Sequence, residues 1–301
     1  MSKLWKKIVE SIPNPEIDIK KNYKTIRKVQ EAVSAPKIKP LYKFLDETIN
    51  VKGYDVPVRV FATQKKPKNV IIYFHGGGWV TGNIDTYTKL CHNLAKMTNS
   101  TVLSVDYRLA PEWKFPVGLN DCYQVVKYVI QNASKFKIDK SKIIIMGDSA
   151  GGNIAAAVSL RRRDRLQTIP YKQILIYPAV IADHDVDMFP SIKANKKNIT
   201  LSLKEINDYI DLYKKKDSDV TNPYMSPLYA YTLVKQPKTL IVTAELDILR
   251  DEGEAYGQRL NEAGNDVRVE RINEVGHGFF SSQNSKETKQ VYKIINEFLS
   301  E

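Results

Sequence analysis

The sequence predicts an α/β fold: a mostly parallel, eight-stranded sheet, antiparallel at its start and flanked by helices. Three observations predict it. Eight apolar or alternating runs recur along the 301 residues, helix-like segments separate most of them, and one run ends abruptly in a glycine-flanked serine that opens an alanine-rich helix. The first two runs, KFLDETINV and VPVRVFAT, alternate and lie close together, as an antiparallel pair does. The later runs NVIIYFHG, TVLSVDYR, KIIIMGDS, YKQILIYPAV and KTLIVTAEL are mostly continuous, the pattern of strands buried on both faces, and VRVERI closes the set. The helices expected between and after them are TYTKLCHNLAKMT, NDCYQVVKYVIQNAS, the segment after Ser149, LKEINDYIDLYKKK, RDEGEAYGQRLNEAG and KETKQVYKIINEFLS.

Two stretches fall outside this rhythm, residues 1–42 and 181–232. The second contains a capping-box pair, Ser202 with Glu205, opening a helix that runs into three lysines. We expect both to pack together as a cap over the sheet edge where ligands bind, with residues 43–180 and 233–301 forming the core.

Composition narrows the function. With 43% hydrophobic residues the chain can bury a large core, and no run of about 18 apolar residues would cross a membrane. The charged opening MSKLWKKIVESIPNPEIDIKK does not read as a signal peptide, although LWKKIVESI is amphipathic and is expected to pack on its own domain. Only two cysteines occur, Cys91 and Cys122, both in helical segments, so free buried thiols and a cytoplasmic, reducing setting are expected. The net charge of +12 is spread out. Its densest clusters, Arg161 to Arg163, Lys196 with Lys197, and Lys214 to Lys216, lack interleaved aromatics and read as solvated faces, so no nucleic-acid partner is expected.

The chemistry concentrates at GDSAG, residues 147–151. A strand entering a helix through GxSxG must turn sharply. Gly147 and Gly151 let the chain pass itself, and Ser149 stands exposed beside a helix N-terminus that favours developing negative charge. A serine hydroxyl needs a base. Of the four histidines, His92 lies mid-helix, His184 lies in the expected cap, His75 adjoins a glycine run, and His277 lies in a loop after the last strand, placed to serve. The base needs a carboxylate between serine and histidine in chain order. Glu245, Asp247, Asp251 and Glu252 follow the KTLIVTA strand, and Asp247, just past its end, is favoured over Glu245. HGGGW, residues 75–79, offers consecutive amides with no GK[ST] to make it a phosphate loop. Gly76, Gly77 and Ala150 are the expected oxyanion donors, with His75, Gly78 and Asp148 supporting the loop.

Taken in order, HGGGW (75–79), DYRLAPE (106–112), GDSAGG (147–152), NPYMSPL (222–228), AELDILRDEG (244–253) and HGF (277–279) resemble the hormone-sensitive-lipase-like branch of the alpha/beta hydrolases, from about residue 55 to the C-terminus. The resemblance implies an alpha/beta hydrolase fold with a helical cap and a carboxylesterase with nucleophile Ser149, acid Asp247 and base His277, with no cofactor and no metal. The family's acid is commonly followed by proline; here Ile248 stands there. Tyr107, Arg108, Glu112 and Asp121 also match and read as scaffold residues. The expected substrate is a small ester of a short- to medium-chain acid. A deacetylase or amidase, or a ligand receptor on the same fold, are the alternatives, the receptor disfavoured by the presence of His277. Trp79, Phe189, Tyr209, Tyr213 and Tyr229 are candidates either for an acyl pocket or for the core. Stable membrane insertion is not expected, and self-association is left open.

Overall fold

The computed structural model describes residues 18–35, 42, 44–62, 67–134, 139–196 and 200–301. Its sheet has eight strands: β1 (Leu45–Val51), β2 (Tyr54–Phe61), β3 (Asn69–Phe74), β4 (Ser100–Val105), β5 (Ile143–Asp148), β6 (Lys172–Ile176), β7 (Lys238–Leu246) and β8 (Val267–Gly276). Their spatial order is β1-β2-β4-β3-β5-β6-β7-β8. β1 pairs antiparallel with β2 and β2 with β4; every later pairing is parallel. This is the mixed sheet expected from the sequence.

The apolar runs are continuous because both faces of the inner strands are covered. Along β3, Val70, Ile72 and Phe74 enter one core while Ile71 and Tyr73 enter the other, the two-residue alternation of a pleated strand. The helices are α1 (Ile19–Ser34), α2 (Thr88–Thr98), α3 (Val117–Gln131), α4 (Ala150–Asp164), α5 (Pro190–Asn195), α6 (Leu203–Tyr213), α7 (Arg250–Glu262) and α8 (Lys286–Ser300). Helix α4 is buried nearly all round from Ala150 to Leu160, and its run of alanines allows that close approach. The β8 edge is protected by charge, with Arg268, Glu270 and Arg271 among its residues.

From the two stretches outside the strand rhythm, the described helices α1 and α6 pack on each other. Asp18 caps α1 by accepting from the Lys21 N–H. The Ile19 N–H then donates to Asp208 of α6 at 3.2 Å, and the Lys20 ammonium pairs with Asp211. Ser202 and Glu205 form the expected reciprocal cap at the start of α6. Near the middle of α1, Arg27 donates to the carbonyls of Val80 and Ala110, both at 2.7 Å, and grips Glu112 with two nitrogens. The amphipathic LWKKIVESI lies outside the described residues.

One expectation is corrected. Arg161 to Arg163 are not a solvated face: Arg162 is 3% exposed and gives its Nε–H to the Thr168 carbonyl, while Arg161 stacks over Tyr123. Their methylene stems and flat guanidinium faces pack where lysines would have to stay wet. Lys196 is exposed, and Lys214 pairs with Asp211 and Asp217. Cys91 and Cys122 are free and buried, and burial pushes the Cys91 thiol up to about 12. Among the described residues no helix is long and apolar enough to cross a membrane.

Candidate active site

The turn between β5 and α4 places Ser149. Its backbone sits at φ 54°, ψ −120°, sparsely populated for a residue with a side chain, and the surroundings hold it there. The Ser149 N–H donates to the Ile176 carbonyl at 2.9 Å, and the Ser149 carbonyl accepts the Asn153 N–H, the first bond of α4. The flanking glycines are steric necessities. A Cβ on Gly151 would lie 2.0 Å from the Phe74 carbonyl oxygen, and one on Gly147 would lie 2.3 Å from the Gly151 backbone.

His277 follows β8 and reaches back across the sheet end. Its Nε2 lies 2.8 Å from the Ser149 Oγ and its Nδ1 lies 2.7 Å from the Asp247 carboxylate. A carboxylate only accepts, so Nδ1 carries the proton and Nε2 presents its lone pair to the serine hydroxyl. Asp247 is 1% exposed and also accepts the Leu249 N–H at 3.0 Å. Burial alone would push the imidazole down; the Asp247 charge and hydrogen bond reverse this and leave the His277 pKa raised. Where the family commonly has proline, Ile248 is fully buried and its carbonyl accepts the Ser191 hydroxyl, so the loop is anchored to α5.

The other candidates are occupied elsewhere. Glu245 accepts the Glu274 N–H, Asp251 accepts the Ser191 N–H, and Glu252 pairs with His184 at 2.6 Å. His92 lies edge-on to Tyr42 and Phe61. His75 is fully buried, stacks on Tyr107 with ring centroids 4.3 Å apart, and donates from Nδ1 to the Gly76 carbonyl; burial lowers its pKa to about 4, so it stays neutral.

The glycine loop differs from expectation at one amide. The Gly76 N–H, expected to aim at an oxyanion, lies 3.0 Å from the Asp148 carboxylate and 3.1 Å from the Tyr87 hydroxyl. Among the described residues the Gly77 and Gly78 amides have no protein acceptor, and they border the same cavity as Ser149. Their positive φ values, 111° and 60°, suit glycine, and the Gly77 carbonyl is fixed by the N–H groups of Val80 and Thr81.

That cavity holds about 490 Å³. Ser149 and His277 lie at its floor with Gly76 to Gly78, while Gln30, Val33 and Ser34 of α1 and Leu201, Ile206 and Tyr209 of the 181–232 stretch form its wall. Of the five aromatic candidates, only Tyr209 lines it. Trp79 and Tyr213 stack on each other in the core at 4.7 Å, Phe189 packs partly buried against it, and Tyr229 is 39% exposed. Sequence reasoning missed Tyr73 and Tyr87 at Asp148, and Tyr177 beside the His277 ring. Tyr73 and Tyr177 lie in the predicted runs NVIIYFHG and YKQILIYPAV, but nothing in either run ties them to Asp148 or His277. Among the described residues no three His, Cys, Asp or Glu side chains converge as a metal site requires.

Comparison with known proteins agrees with this architecture. Residues 71–281 match a family described by its alpha/beta hydrolase fold. The chain is 37% identical over 279 residues to an arylesterase of Saccharolobus solfataricus, covering 91% of this chain and 89% of that protein. It is 32% identical over 259 residues to the carboxylesterase NlhH of Mycobacterium tuberculosis, covering 84% and 80%. Among solved structures, a hyperthermophilic esterase from the archaeon Pyrobaculum calidifontis superposes with a TM-score of 0.88 at 32% identity, over 99% of this chain and 97% of that one.

Proposed function

Since the chain belongs to the alpha/beta hydrolase family, in its hormone-sensitive-lipase-like branch, we propose that it is a serine carboxylesterase acting on esters of short- to medium-chain acids. One observation carries this reading: Ser149, His277 and Asp247 form an unbroken hydrogen-bonded line, and the cavity they border is also lined by two amides with no protein acceptor among the described residues. Ser149 Oγ attacks the ester carbonyl as His277 Nε2 takes its proton. The carbonyl oxygen becomes an anion facing the N–H groups of Gly77, Gly78 and Ala150. Collapse expels the alcohol, protonated by His277, and leaves an acyl group on Ser149. Water, deprotonated by the same imidazole, then releases the acid and restores the serine.

In this reading Gly78 takes the place first expected for Gly76. The Gly76 amide is spent on Asp148, and an N–H cannot serve two strong acceptors well. His75, neutral and stacked, locks the loop. The stretches 1–42 and 181–232 act as a cap, supported in the described residues by α1 and α6, which join through Asp208 and Asp211 and wall the cavity. A cavity of about 490 Å³ suits a small ester better than a long acyl chain. The two unpaired thiols support a cytoplasmic setting. The test is Ser149→Ala assayed on p-nitrophenyl acetate: turnover should fall to background with an unchanged thermal melt, and retained turnover would contradict the assignment.

A further inference from the structure

Asp148 ends β5, one residue before Ser149, and its carboxylate is 5% exposed. Three neutral donors converge on it. Tyr73 Oη and the Gly76 N–H reach Oδ1 at 2.7 and 3.0 Å, and Tyr87 Oη reaches Oδ2 at 2.9 Å. The Gly76 amide also lies 3.1 Å from Tyr87 Oη, closing a small network. No Lys or Arg of the described residues pairs with this buried charge. The cost of burying a carboxylate without a counter-ion is several kcal/mol, and three hydrogen bonds offset only part of it. A residue placed so unfavourably for stability invites a role in the chemistry beside it.

The position supplies two. The loop carrying the Gly77 and Gly78 amides has no side chains of its own to hold it. Downstream it is fixed by the Val80 and Thr81 N–H groups on the Gly77 carbonyl, and just before it by the Tyr107 hydroxyl on the His75 carbonyl. Between these, the first glycine accepts from His75 Nδ1 at its carbonyl, and its N–H is tied to Asp148 and Tyr87. Asp148 and Ser149 are consecutive, so this tie fixes the amides relative to the nucleophile itself. Second, the charges acting on His277 are those of Asp247, Asp148 and Glu252. The titratable groups that face Asp148 are Tyr73 from β3, Tyr87 and Cys91 from the α2 side, Tyr177 from the end of β6, Tyr107 from beyond β4, and His277. Burial pushes the phenols and the thiol upward, so none of them charges near neutral pH.

We propose that Asp148 is a positioning residue for the reaction: with Tyr73 and Tyr87 it ties the oxyanion loop to the serine turn, and its charge joins that of Asp247 in stabilising the His277 imidazolium. The proposal rests on the esterase reading above. It is tested by kcat and KM for p-nitrophenyl acetate as functions of pH in the wild type, Asp148→Asn, Tyr87→Phe and Ser149→Ala. Asp148→Asn keeps the shape and an acceptor for Gly76 but removes the charge. Its kcat should fall about 10- to 100-fold with KM nearly unchanged, and the acid limb of kcat/KM should move down by roughly half a pH unit to one unit. Tyr87→Phe should lower kcat about 3- to 10-fold and leave the acid limb in place. A wild-type kcat and an unmoved acid limb in Asp148→Asn overturn the proposal. If that variant does not fold, Tyr87→Phe decides, and a wild-type kcat there counts against it. Full activity in Ser149→Ala would instead overturn the nucleophile assignment.

Discussion

The serine turn and the helical wall above it are built by opposite means. At the turn, backbone meets backbone: Gly151 lies against the Phe74 carbonyl, Ser149 is held at positive φ, and Asp148 and Asp247 are buried among hydrogen bonds. The wall is fastened to the core and to itself by long charged side chains. Lys20 and Asp211 are 45% and 37% exposed, and Arg27 reaches its partners from 27% exposure. Close-packed backbone has one arrangement and fails when it is disturbed, whereas solvated ion pairs are individually worth little and can let go without cost to the core. The contrast assigns geometry to the turn and access to the wall.

The sharpest break on the turn side is Asp247→Asn. It preserves shape but frees the imidazole to take the wrong tautomer, and kcat should fall about 10⁴-fold while the melting temperature barely moves; a loss below tenfold would mean another group orients His277. Next is Gly151→Ala. The added carbon must displace the Phe74 carbonyl, so the expected cost is about 3 kcal/mol or more, seen as a melting temperature lowered by several degrees together with lost activity.

On the wall side, Arg27→Ala removes the clasp on Val80, Ala110 and Glu112. We expect about 1–2 kcal/mol of destabilisation and a KM raised roughly tenfold with kcat within about threefold. A larger loss in kcat than in KM would show that the wall also sets the chemistry. Lys20→Ala, on an exposed pair, should change stability by less than about 0.5 kcal/mol.

The pH profile sharpens the turn side without mutation. His277 accepts a proton only when neutral, and its pKa is raised, by Asp247 against burial, above the ordinary 6.5. Activity should therefore be full at alkaline pH and fall, as pH drops, through a midpoint above 6.5. A midpoint well below that value would mean the carboxylate does not stabilise the imidazolium as the 2.7 Å contact implies.

What could be read from the sequence follows the same division. All eight strands and the Ser149 turn were legible because their signals are local: apolar runs, two glycines, a helix start. That Asp247 and His277 would line up with Ser149 was legible by elimination and chain order. The Gly76 amide was misjudged because its acceptors, Asp148 and Tyr87, lie 72 and 11 residues away, and nothing in HGGG says which amide points where. Arg162 was misjudged because three consecutive arginines look wet, while the helix turns one of them inward onto the Thr168 carbonyl. Tyr209 was indistinguishable from Trp79 and Tyr213 on pattern alone, since only packing separates a cavity wall from a core stack.

The account depends on Ser149 being an activated nucleophile, and covalent labelling tests that most directly. Treated with diethyl p-nitrophenyl phosphate, the protein should gain one diethylphosphoryl group, mapped by mass spectrometry to the peptide containing Ser149, with labelling slowed at least about 100-fold in His277→Ala. No adduct, or an adduct on another residue while Ser149 stays unmodified, would contradict it.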